Sequence, residues 1–353
     1  MIVKDGLSIY GEAKQMRVGI IGGGFGLTVQ APIINTHPKM NVTAICTLKR
    51  HHLPKDLSNG DNTPVHYTNW TKMLNSEELD LVFVSSLPMH HFEMVKYALS
   101  QGLNVVCEKP FTMNSRESEE LLIFSKKSNN TKVFIDFEWR YHPARQKVKE
   151  LISEIGDILH FEYHISASRY QNLQNNKMGW MGEKHQFGGM LGALGTHMID
   201  CLRWLVQDEV ITINGLTHTH VPEGPGEIRD SDDAFFMQGK TTRNSTFSIQ
   251  LISGIHHGFG SNLKIFGRLG TITLTNDKTL FFGKASESLE EIIVETDDQI
   301  PTLSLEAKAY YQAFYPFIDK VYENITYNKS DEDLPTIVDG HENQVIIDRV
   351  LSN

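Results

Sequence analysis

The sequence is poor in cysteine, lacks any long apolar run, and has no excess of positive charge. Its 353 residues include 3 cysteines, which are too few and too scattered for a disulfide framework and fit a reducing compartment. No apolar run approaches the roughly 18 residues that a membrane span requires. The 43 acidic against 33 basic side chains leave a net charge of −10, which argues against nucleic acid or an anionic membrane as the main partner.

The N-terminal segment also lacks a clear pattern. Residues 1–16 are polar and aperiodic, without the apolar core or the small-residue cleavage site of a signal peptide. We therefore predict that they form a loosely held extension and that the protein is cytoplasmic. At about 150 residues per domain, the length predicts two domains.

Short apolar segments alternate with helical patterns over the first 140 residues. Helices are predicted at about 24–36, 93–102 and 114–127, whereas 48–64 has the composition of a loop or weak helix. Strict alternation predicts an α/β domain with a doubly wound parallel sheet over residues 17–140. The predicted strands, rich in β-branched residues, lie at 17–22, 42–47, 80–85, 104–107 and 132–137.

The pattern changes after residue 140. Helices are predicted at 144–154, at about 190–206 and at 339–352. Longer, more alternating strands lie between them, at 158–168, 231–237, 245–252, 262–267 and 271–274. Residues 141–338 are thus predicted to form an α+β domain with a large, mainly antiparallel open sheet, and 339–353 a helix that packs back on the body. Because the boundary carries no linker, we expect the two domains to pack tightly.

The first chemical motif is a glycine cluster between the first strand and the first helix. Gly22 permits a tight turn, and Gly24 lets the backbone approach a pyrophosphate at the helix N-terminus. Leu27 occupies the place of the third glycine, so the pattern is imperfect, and a tight turn without a ligand is the alternative. Because further strand–helix units follow, we favour dinucleotide binding.

The residues after the second strand bear on the choice of cofactor. A site for NAD usually has Asp or Glu there to hold the ribose hydroxyls, but this chain has Thr47-Leu48-Lys49-Arg50. A hydroxyl and two cations suit a 2′-phosphate, which makes Thr47 and Arg50 candidate ligands; a solvated basic loop is the alternative. The predicted cofactor is NAD or NADP, and this loop favours NADP.

The second motif, Glu108-Lys109-Pro110, directly follows a buried strand, at the sheet edge where ligands of open α/β sheets bind. Partial burial there would make Lys109 a proton donor or an electrostatic clamp. A salt-bridged surface lysine is the alternative interpretation.

The third motif is a glycine-rich run at 188–195, which enters the helix that carries His197. Its glycines predict close backbone packing against a flat group. Asp200 lies three residues after His197, on nearly the same helix face. A satisfied structural histidine is the alternative to a catalytic one, and the neighbouring glycines favour catalysis.

Together these motifs resemble the Gfo/Idh/MocA family, the glucose–fructose oxidoreductase and inositol dehydrogenase group, from about residue 17 to the C-terminus. In the turn SSLPMHH, Ser86, Pro88 and His91 match the family's pattern. The other matching segments are VGIIGGGFG at 18–26, VVCEKPF at 105–111, FEWRYHPAR at 137–145, GGMLGALGTHMIDCLRWL at 188–205 and LPTIVDG at 334–340.

The resemblance implies an N-terminal Rossmann domain and a C-terminal domain whose sheet forms a homodimer or homotetramer. It implies an NAD(P)-dependent dehydrogenase or reductase that acts on the CH–OH group of a sugar, polyol or sugar derivative held between the domains. Lys109 would lie beside the nicotinamide, and His197 would take the hydroxyl proton as hydride is transferred. The implied cofactor-binding residues are Gly22, Gly24, Phe25, Gly26, Ser86, Pro88, His91, Glu108 and Lys109.

One position departs from the family's pattern. An Asp usually stands four residues before the His, where this chain has Ala193, and alanine can neither orient the imidazole nor raise its pKa. Either Lys109 carries more of the proton transfer, or another acid such as Asp200 substitutes, or the reaction differs from simple alcohol oxidation. The same departure motivates a second hypothesis, a cofactor-bound sensor or regulatory protein without turnover.

Four further residues are candidates. We predict that Arg169 and Trp180 join Lys109 and His197 in binding substrate; a surface arginine and a packing tryptophan are the alternatives. Arg140 and Tyr141 either face the cleft or anchor the domain junction. No metal is predicted, because the paired histidines at 51–52, 90–91 and 256–257 lack the spacing of zinc ligands.

Overall fold

The structure is a computed structural model that describes residues 15–50, 52–54, 57, 63–128, 131–296 and 299–352. The predicted N-terminal extension lies outside the described residues except for Gln15 and Met16, and so does part of the 48–64 stretch. Within the described chain, no helix is long and apolar enough to span a membrane.

The N-terminal part of the chain forms a six-stranded parallel sheet. Its strands are β1 Met16–Ile21, β2 Met40–Cys46, β3 Val65–Tyr67, β4 Leu81–Val84, β5 Asn104–Cys107 and β6 Val133–Ile135. Their order in the sheet is β3-β2-β1-β4-β5-β6, so the direction of connection reverses between β1 and β4. Ligands of such sheets bind in the crevice at that point, beyond the carboxyl ends of the strands. The five predicted strands are present, and β3 is an edge strand that the pattern did not predict.

Short helices cover both faces of this sheet. They are α1 Ala31–Ile34, α2 Trp70–Ser76, α3 His91–Ser100 and α4 Ser115–Ser125. Alternate strand residues belong to two core clusters, one on each face, which explains the continuous apolar runs. The helix predicted at 24–36 is a π-helical turn over Gly26–Gln30 followed by α1. Pro32 has no N–H to donate to Thr28, so one α-helical hydrogen bond is lost where the π-helical turn meets α1.

The C-terminal domain is built on an eight-stranded mixed sheet. Its strands are β7 Ile158–Ser166, β8 Val210–His218, β11 Ala234–Thr241, β12 Thr246–Ile252, β13 Gly260–Gly267, β14 Gly270–Thr275, β15 Thr279–Lys284 and β16 Glu290–Ile292; β9 Glu223–Gly224 and β10 Glu227–Ile228 form a separate small hairpin. The order is β16-β15-β14-β13-β7-β12-β11-β8. Only the β7–β12 pairing within this sheet is parallel, among the described strands. The predicted fold class is therefore confirmed.

One face of this sheet packs against helices α5 Pro143–Leu151 and α7 Thr196–Val206, while the short helix α6 Tyr170–Asn175 lies between β7 and α7 in sequence. Strands β8, β15 and β16 and the small hairpin are absent from the sequence prediction. The strand predicted at 231–237 begins only at Ala234. Just before it, the side-chain carboxylates of Asp232 and Asp233 accept backbone N–H bonds from Leu191 and Val221.

The longest helix of the described chain, α8 Leu305–Tyr327, was not predicted. Pro316 inside it and its many aromatic residues obscure the helical pattern, although its buried positions recur at three- and four-residue spacing. Phe314 and Phe317 pack against the first sheet, beside Phe83. The helix therefore covers the N-terminal sheet, although it belongs to the range 141–338 predicted for the second domain; the domain boundaries stay a prediction.

The last helix, α9 Ile337–Leu351, begins two residues before its predicted start and joins the two halves of the molecule. It contacts α4 on one side and β8 and α7 on the other. Thr336 and Asp339 form a capping box at its N-terminus, where two orphan N–H groups are satisfied. Asn343 donates a hydrogen bond of 2.8 Å to the carbonyl oxygen of Thr196.

Candidate active site

A cavity of about 840 Å³ opens at the carboxyl ends of the first sheet and is lined by residues of both domains. Three predicted site residues do not line it: Gly26, His91 and Arg169. The predicted residues that do line it are Gly22, Gly24, Phe25, Thr47, Arg50, Ser86, Pro88, Glu108, Lys109, Trp180 and His197.

The glycine turn allows a ligand to approach the protein backbone closely. A Cβ built on Gly22 would lie 2.3 Å from the Ser85 carbonyl oxygen, so only glycine lets β1 and β4 end side by side. Among the described residues, a Cβ on Gly24 would meet no atom within 4 Å, so that side of the turn faces open space. Phe25 contacts the Tyr310 ring of α8 edge-on, at 4.9 Å between centroids. The open cradle at Gly24 is the observation that fits a dinucleotide pyrophosphate.

Gly26 and His91 support the cavity from behind. A Cβ on Gly26 would lie 2.9 Å from Ile20, so this glycine allows close packing of the turn on β1. The ring nitrogens of His91 lie 2.9 Å from the Pro110 carbonyl oxygen and 3.1 Å from that of Ser86. Burial lowers the pKa of His91 to about 4, so the ring is neutral and its single N–H donates to one of these two carbonyl oxygens.

The basic loop after β2 presents its cations to the cavity but uses its hydroxyl internally. The Thr47 hydroxyl donates to the Arg50 carbonyl oxygen at 3.0 Å and lies 2.7 Å from Nε2 of His66. Lys49 and Arg50 both line the cavity. Thr47 therefore shapes the loop, whereas the two cations are the groups available to a ligand.

Lys109 links the two domains across the cavity. It directly follows β5, and its Nζ donates a hydrogen bond of 2.9 Å to the carbonyl oxygen of Ala193. Ala193 lies in a π-helical turn, Leu191–Gly195, that leads into α7; such turns occur frequently at functional sites. The peptide bond between Lys109 and Pro110 is cis.

His197 lies in the first turn of α7 and is buried, with 3% of its surface exposed. Its ring stacks on Trp139, at 4.1 Å between centroids and 10° between planes. Burial, reinforced by the charges of Lys109 and Arg145, holds the pKa of His197 well below its usual value. The imidazole is therefore neutral at pH 7, and within the described residues its buried Nδ1 has no hydrogen-bond partner.

Asp200 does not reach His197. Its two oxygens accept hydrogen bonds of 2.8 and 2.6 Å from the guanidinium of Arg140, which also donates to Asp339 at 2.9 Å. Arg140 is buried, and its hydrogen bonds join the end of the first sheet to α7 and α9. The structure thus assigns Arg140 and Asp200 to the domain junction, and the alternative that Asp200 replaces the missing acid at position 193 is wrong.

Two buried acids beside the cavity, Asp136 and Glu138, were missed, although their neighbour Glu108 was predicted. Gln30 donates hydrogen bonds of 2.9 Å to Glu108 and 2.7 Å to Asp136, and accepts one from Ser85. Burial raises the pKa values of Glu108 and Asp136, and the nearby charges of Glu108 and Glu138 raise that of Asp136 further. Two residues along, Glu138 lines the cavity itself. The sequence could have indicated Asp136 and Glu138, because they follow β6 at the sheet edge where Glu108 follows β5.

The outer wall of the cavity comes from short turns at 179–186, which contribute Trp180 and Glu183. Tyr310 of α8 also lines it, and no local pattern could have found it because its helix lies far away in sequence. Arg169 lies elsewhere: it is half-buried, with a guanidinium nitrogen 3.5 Å from the Met190 sulfur. Its predicted role in substrate binding stays a prediction.

A doubly wound sheet whose glycine turn shares one cavity with a histidine from a second, open-sheet domain defines a class of two-domain, nucleotide-dependent oxidoreductases. Residues 16–137 match the family model described as an oxidoreductase family with an NAD-binding Rossmann fold, and residues 149–352 match the C-terminal alpha/beta domain of the same family. The chain belongs to the Gfo/Idh/MocA oxidoreductase family, as its motifs predicted.

The similarity to related proteins covers much of the chain. An uncharacterised oxidoreductase of Synechocystis sp. is 25% identical over 356 residues, 96% of this chain and 93% of that protein. Levoglucosan dehydrogenase of Pseudarthrobacter phenanthrenivorans is 25% identical over 236 residues, 64% of this chain and 60% of that protein. Among solved structures, levoglucosan dehydrogenase in complex with NADH and levoglucosan has a TM-score of 0.84 at 21% identity, covering 96% of this chain and 97% of that one, which shows a common fold.

Proposed function

We propose that the protein transfers a hydride between a nicotinamide cofactor and an alcohol or carbonyl group of a sugar, polyol or sugar derivative. The observation that carries the proposal is that Lys109 and His197, from different domains, line the same cavity as the open cradle at Gly24. The name of the relative levoglucosan dehydrogenase supports a sugar-like substrate, and Trp180 offers an aromatic face on which a sugar ring can stack.

In this proposal the chain's residues hold and polarise the reacting hydroxyl. The nicotinamide, when bound, supplies the carbon that accepts or returns the hydride. Lys109 stabilises the negative charge that develops on the substrate oxygen, from a position fixed by its hydrogen bond to Ala193. The neutral ring of His197, held flat against Trp139, contacts the same oxygen and orients it.

The basic loop supports a proposal about the cofactor. Lys49 and Arg50 provide two positive charges at the end of β2, and we propose that they accept the 2′-phosphate of NADP. Binding measured by nicotinamide fluorescence should then favour NADPH over NADH in the wild type. The preference should fall about tenfold in Arg50→Ala, whereas an unchanged ratio would show that the loop is merely solvated.

We also propose that the C-terminal sheet mediates assembly into a homodimer or homotetramer. The sheet face opposite α5 and α7 is only partly covered, as the alternating buried and partly exposed residues of β12 and β13 indicate. The mass in solution, measured by sedimentation, tests this.

The experiment that tests the function is turnover of a panel of sugars and polyols with NAD⁺ and NADP⁺. Saturable turnover is expected, and Lys109→Ala should lower kcat/KM by roughly 10²- to 10⁴-fold, the usual contribution of a positioned acid–base or charged group. Lys96→Ala, which removes an exposed lysine paired with Glu120, is the matched control. Tight cofactor binding without turnover of any panel member would instead support the sensor hypothesis.

A further inference from the structure

Glu138 is a buried acidic residue that lines the cavity beside His197. It follows β6 in a short 3₁₀ turn, Glu138–Tyr141, and is buried, with only 2% of its surface exposed. Its Oε2 lies 3.9 Å from Nε2 of His197, and both residues line the cavity. Position 193, four residues before His197, supplies only a methyl group and a carbonyl oxygen that Lys109 already occupies.

The separation of Glu138 and His197 suits a shared substrate hydroxyl. A distance of 3.9 Å is too long for a direct hydrogen bond. An oxygen atom inserted at the mouth of this gap can lie about 2.8 Å from both groups at once, at an angle of roughly 90°. A hydroxyl bound there would face one carboxyl oxygen and one imidazole nitrogen.

His197 by itself is poorly suited to take a proton. Its ring is buried against Trp139, and the positive charges of Lys109 and Arg145 oppose a further charge on it. The same positive charges favour an anion at Glu138. In this buried site, protonating the Glu138 carboxylate, which becomes neutral, therefore costs less free energy than protonating the His197 imidazole, which becomes a cation.

We propose that Glu138 is the catalytic acid–base of the site, and that His197 orients the hydroxyl whose proton Glu138 accepts or donates. This inference rests on the proposed function and names the residue that completes it. In the direction of oxidation, the substrate C–H bond breaks as its hydride passes to the nicotinamide. The O–H bond breaks as its proton passes to the Glu138 carboxylate, which leaves a carbonyl product and a neutral carboxylic acid. Reduction reverses both transfers.

The surroundings of Glu138 tune its ionisation. Burial, followed by the nearby charge of Glu108, raises its pKa to about 8, close to the pH at which an acid–base catalyst is most effective. Oxidation needs the carboxylate and should accelerate as the pH rises through about 8, whereas reduction needs the acid and should slow over the same range. The titratable and charged groups that face it are Glu108, Lys109, Asp136, Arg145, His197 and Tyr310.

The first test follows the carboxyl group directly and requires neither cofactor nor substrate. In protein labelled with ¹³C at glutamate side chains, the Glu138 carboxyl resonance is assigned by its loss in Glu138→Gln. We expect this resonance to titrate with a midpoint near 8. A resonance that is already ionised at pH 6 would overturn the proposal, whatever the activity of the protein.

The second test is the pH profile of kcat/KM for a substrate found in the panel. Glu138→Gln should lose roughly 10²- to 10⁴-fold in rate together with the step near pH 8, while Glu138→Asp should recover part of both. His197→Ala should have a lower kcat/KM than the wild type but keep the pH step near 8. Glu183→Gln, which removes a carboxyl group from the outer wall of the cavity, should keep the step near pH 8.

The outcomes separate this inference from the proposed function. Turnover that depends on Lys109 but keeps its pH step in Glu138→Gln overturns the role of Glu138 and leaves the dehydrogenase function intact. Absence of turnover in the wild type overturns the proposed function before any variant is made. Retained cofactor binding in Glu138→Gln shows that the variant is folded; if it does not fold, Glu138→Asp must show a displaced step, and an unchanged one overturns the proposal.

Discussion

Gly22 and Gly24 of the nucleotide turn lack a side chain for different physical reasons. At Gly22 the obstacle is internal, because a Cβ would lie 2.3 Å from the Ser85 carbonyl oxygen of the neighbouring strand end. At Gly24 no atom of the described residues lies within 4 Å of a Cβ, so a methyl group there would obstruct a bound ligand and not the fold. A glycine needed by the fold can thus be distinguished from one needed by the cofactor.

We therefore expect opposite behaviour from two alanine variants. Gly22→Ala should lower the free energy of unfolding by about 2–3 kcal/mol, because backbone cannot yield as a flexible side chain does. Gly24→Ala should change it by less than about 0.5 kcal/mol while weakening nicotinamide cofactor binding at least tenfold. Urea unfolding and fluorescence titration of each variant measure the two effects. Equal loss of stability in both would contradict the distinction.

The buried acid Glu138 predicts a second residue-scale effect, on stability. In the unfolded chain its carboxyl group ionises near its ordinary pKa of 4.5, but in the folded protein it keeps its proton until about pH 8. The unfolded state therefore binds fewer protons between these values, so this residue lowers stability as the pH rises through that window.

Glu138→Gln removes this dependence. At about 1.4 kcal/mol per pKa unit, the variant should gain roughly 3 kcal/mol relative to the wild type between pH 5 and pH 8. Urea unfolding at both pH values measures it, with the exposed Glu154→Gln as control. A difference between variant and wild type that does not change with pH would be inconsistent with a raised pKa.

At the scale of elements, helix α8 is the main contribution from a distant part of the chain to the N-terminal domain. Its apolar face completes the core on one side of the first sheet, and its Tyr310 reaches the cavity beside Phe25. Because this helix comes from residues after the second sheet, the nucleotide-binding half cannot be complete until the chain has returned to it.

Phe314, at the centre of that face, is fully buried against Phe83. Phe314→Ala should cost about 3–5 kcal/mol in unfolding free energy and weaken cofactor binding with it. Leu305→Ala, at the exposed start of the same helix, should cost less than about 0.5 kcal/mol, since Leu305 is 87% exposed. Thermal unfolding of both variants, with and without NADH, measures these effects. Equal losses of stability in the two variants would show that α8 is only loosely attached.

At the scale of the whole molecule, buried charges tie the two domains together. Arg140 follows the last strand of the first sheet and pairs with Asp200 of α7 and Asp339 of α9. Arg203 also contacts Asp339, at 3.4 Å. The hydrogen bond from Lys109 to Ala193 is a second link across the junction, within the cavity itself. Domain position and active-site geometry are therefore coupled.

Arg140→Met should cost about 3–5 kcal/mol, because it leaves Asp200 buried without its partner. Arg268→Met, which removes an exposed ion pair with Asp157, should change stability by less than about 1 kcal/mol. Differential scanning calorimetry is the measurement, and we expect the single transition of the wild type to broaden or split in Arg140→Met. A variant as stable as the wild type would rule out the junction role.

Local pattern predicted most of the first sheet, because each strand is a short apolar run bounded by glycine or polar residues. It also found Lys109 and the glycine turn, since both lie directly at strand ends. It missed Gln30 and α8, whose significance comes from contacts over long sequence separations: Gln30 and Asp136 are 106 residues apart. It left Asp200 open as one of three alternatives to the missing acid, because helix spacing does not reveal that Arg140 packs against it.

The sequence by itself determined the family, the two-domain class and the residues at the strand ends, because these depend on neighbours along the chain. Only the tertiary structure decided what stands beside His197. Position 193 is alanine, and no spacing within the helix could supply the missing acid. Glu138 takes that place because the end of the first sheet packs against α7. The pKa of a carboxyl group buried there depends on the residues that are close to it in space, which its neighbours in sequence do not reveal.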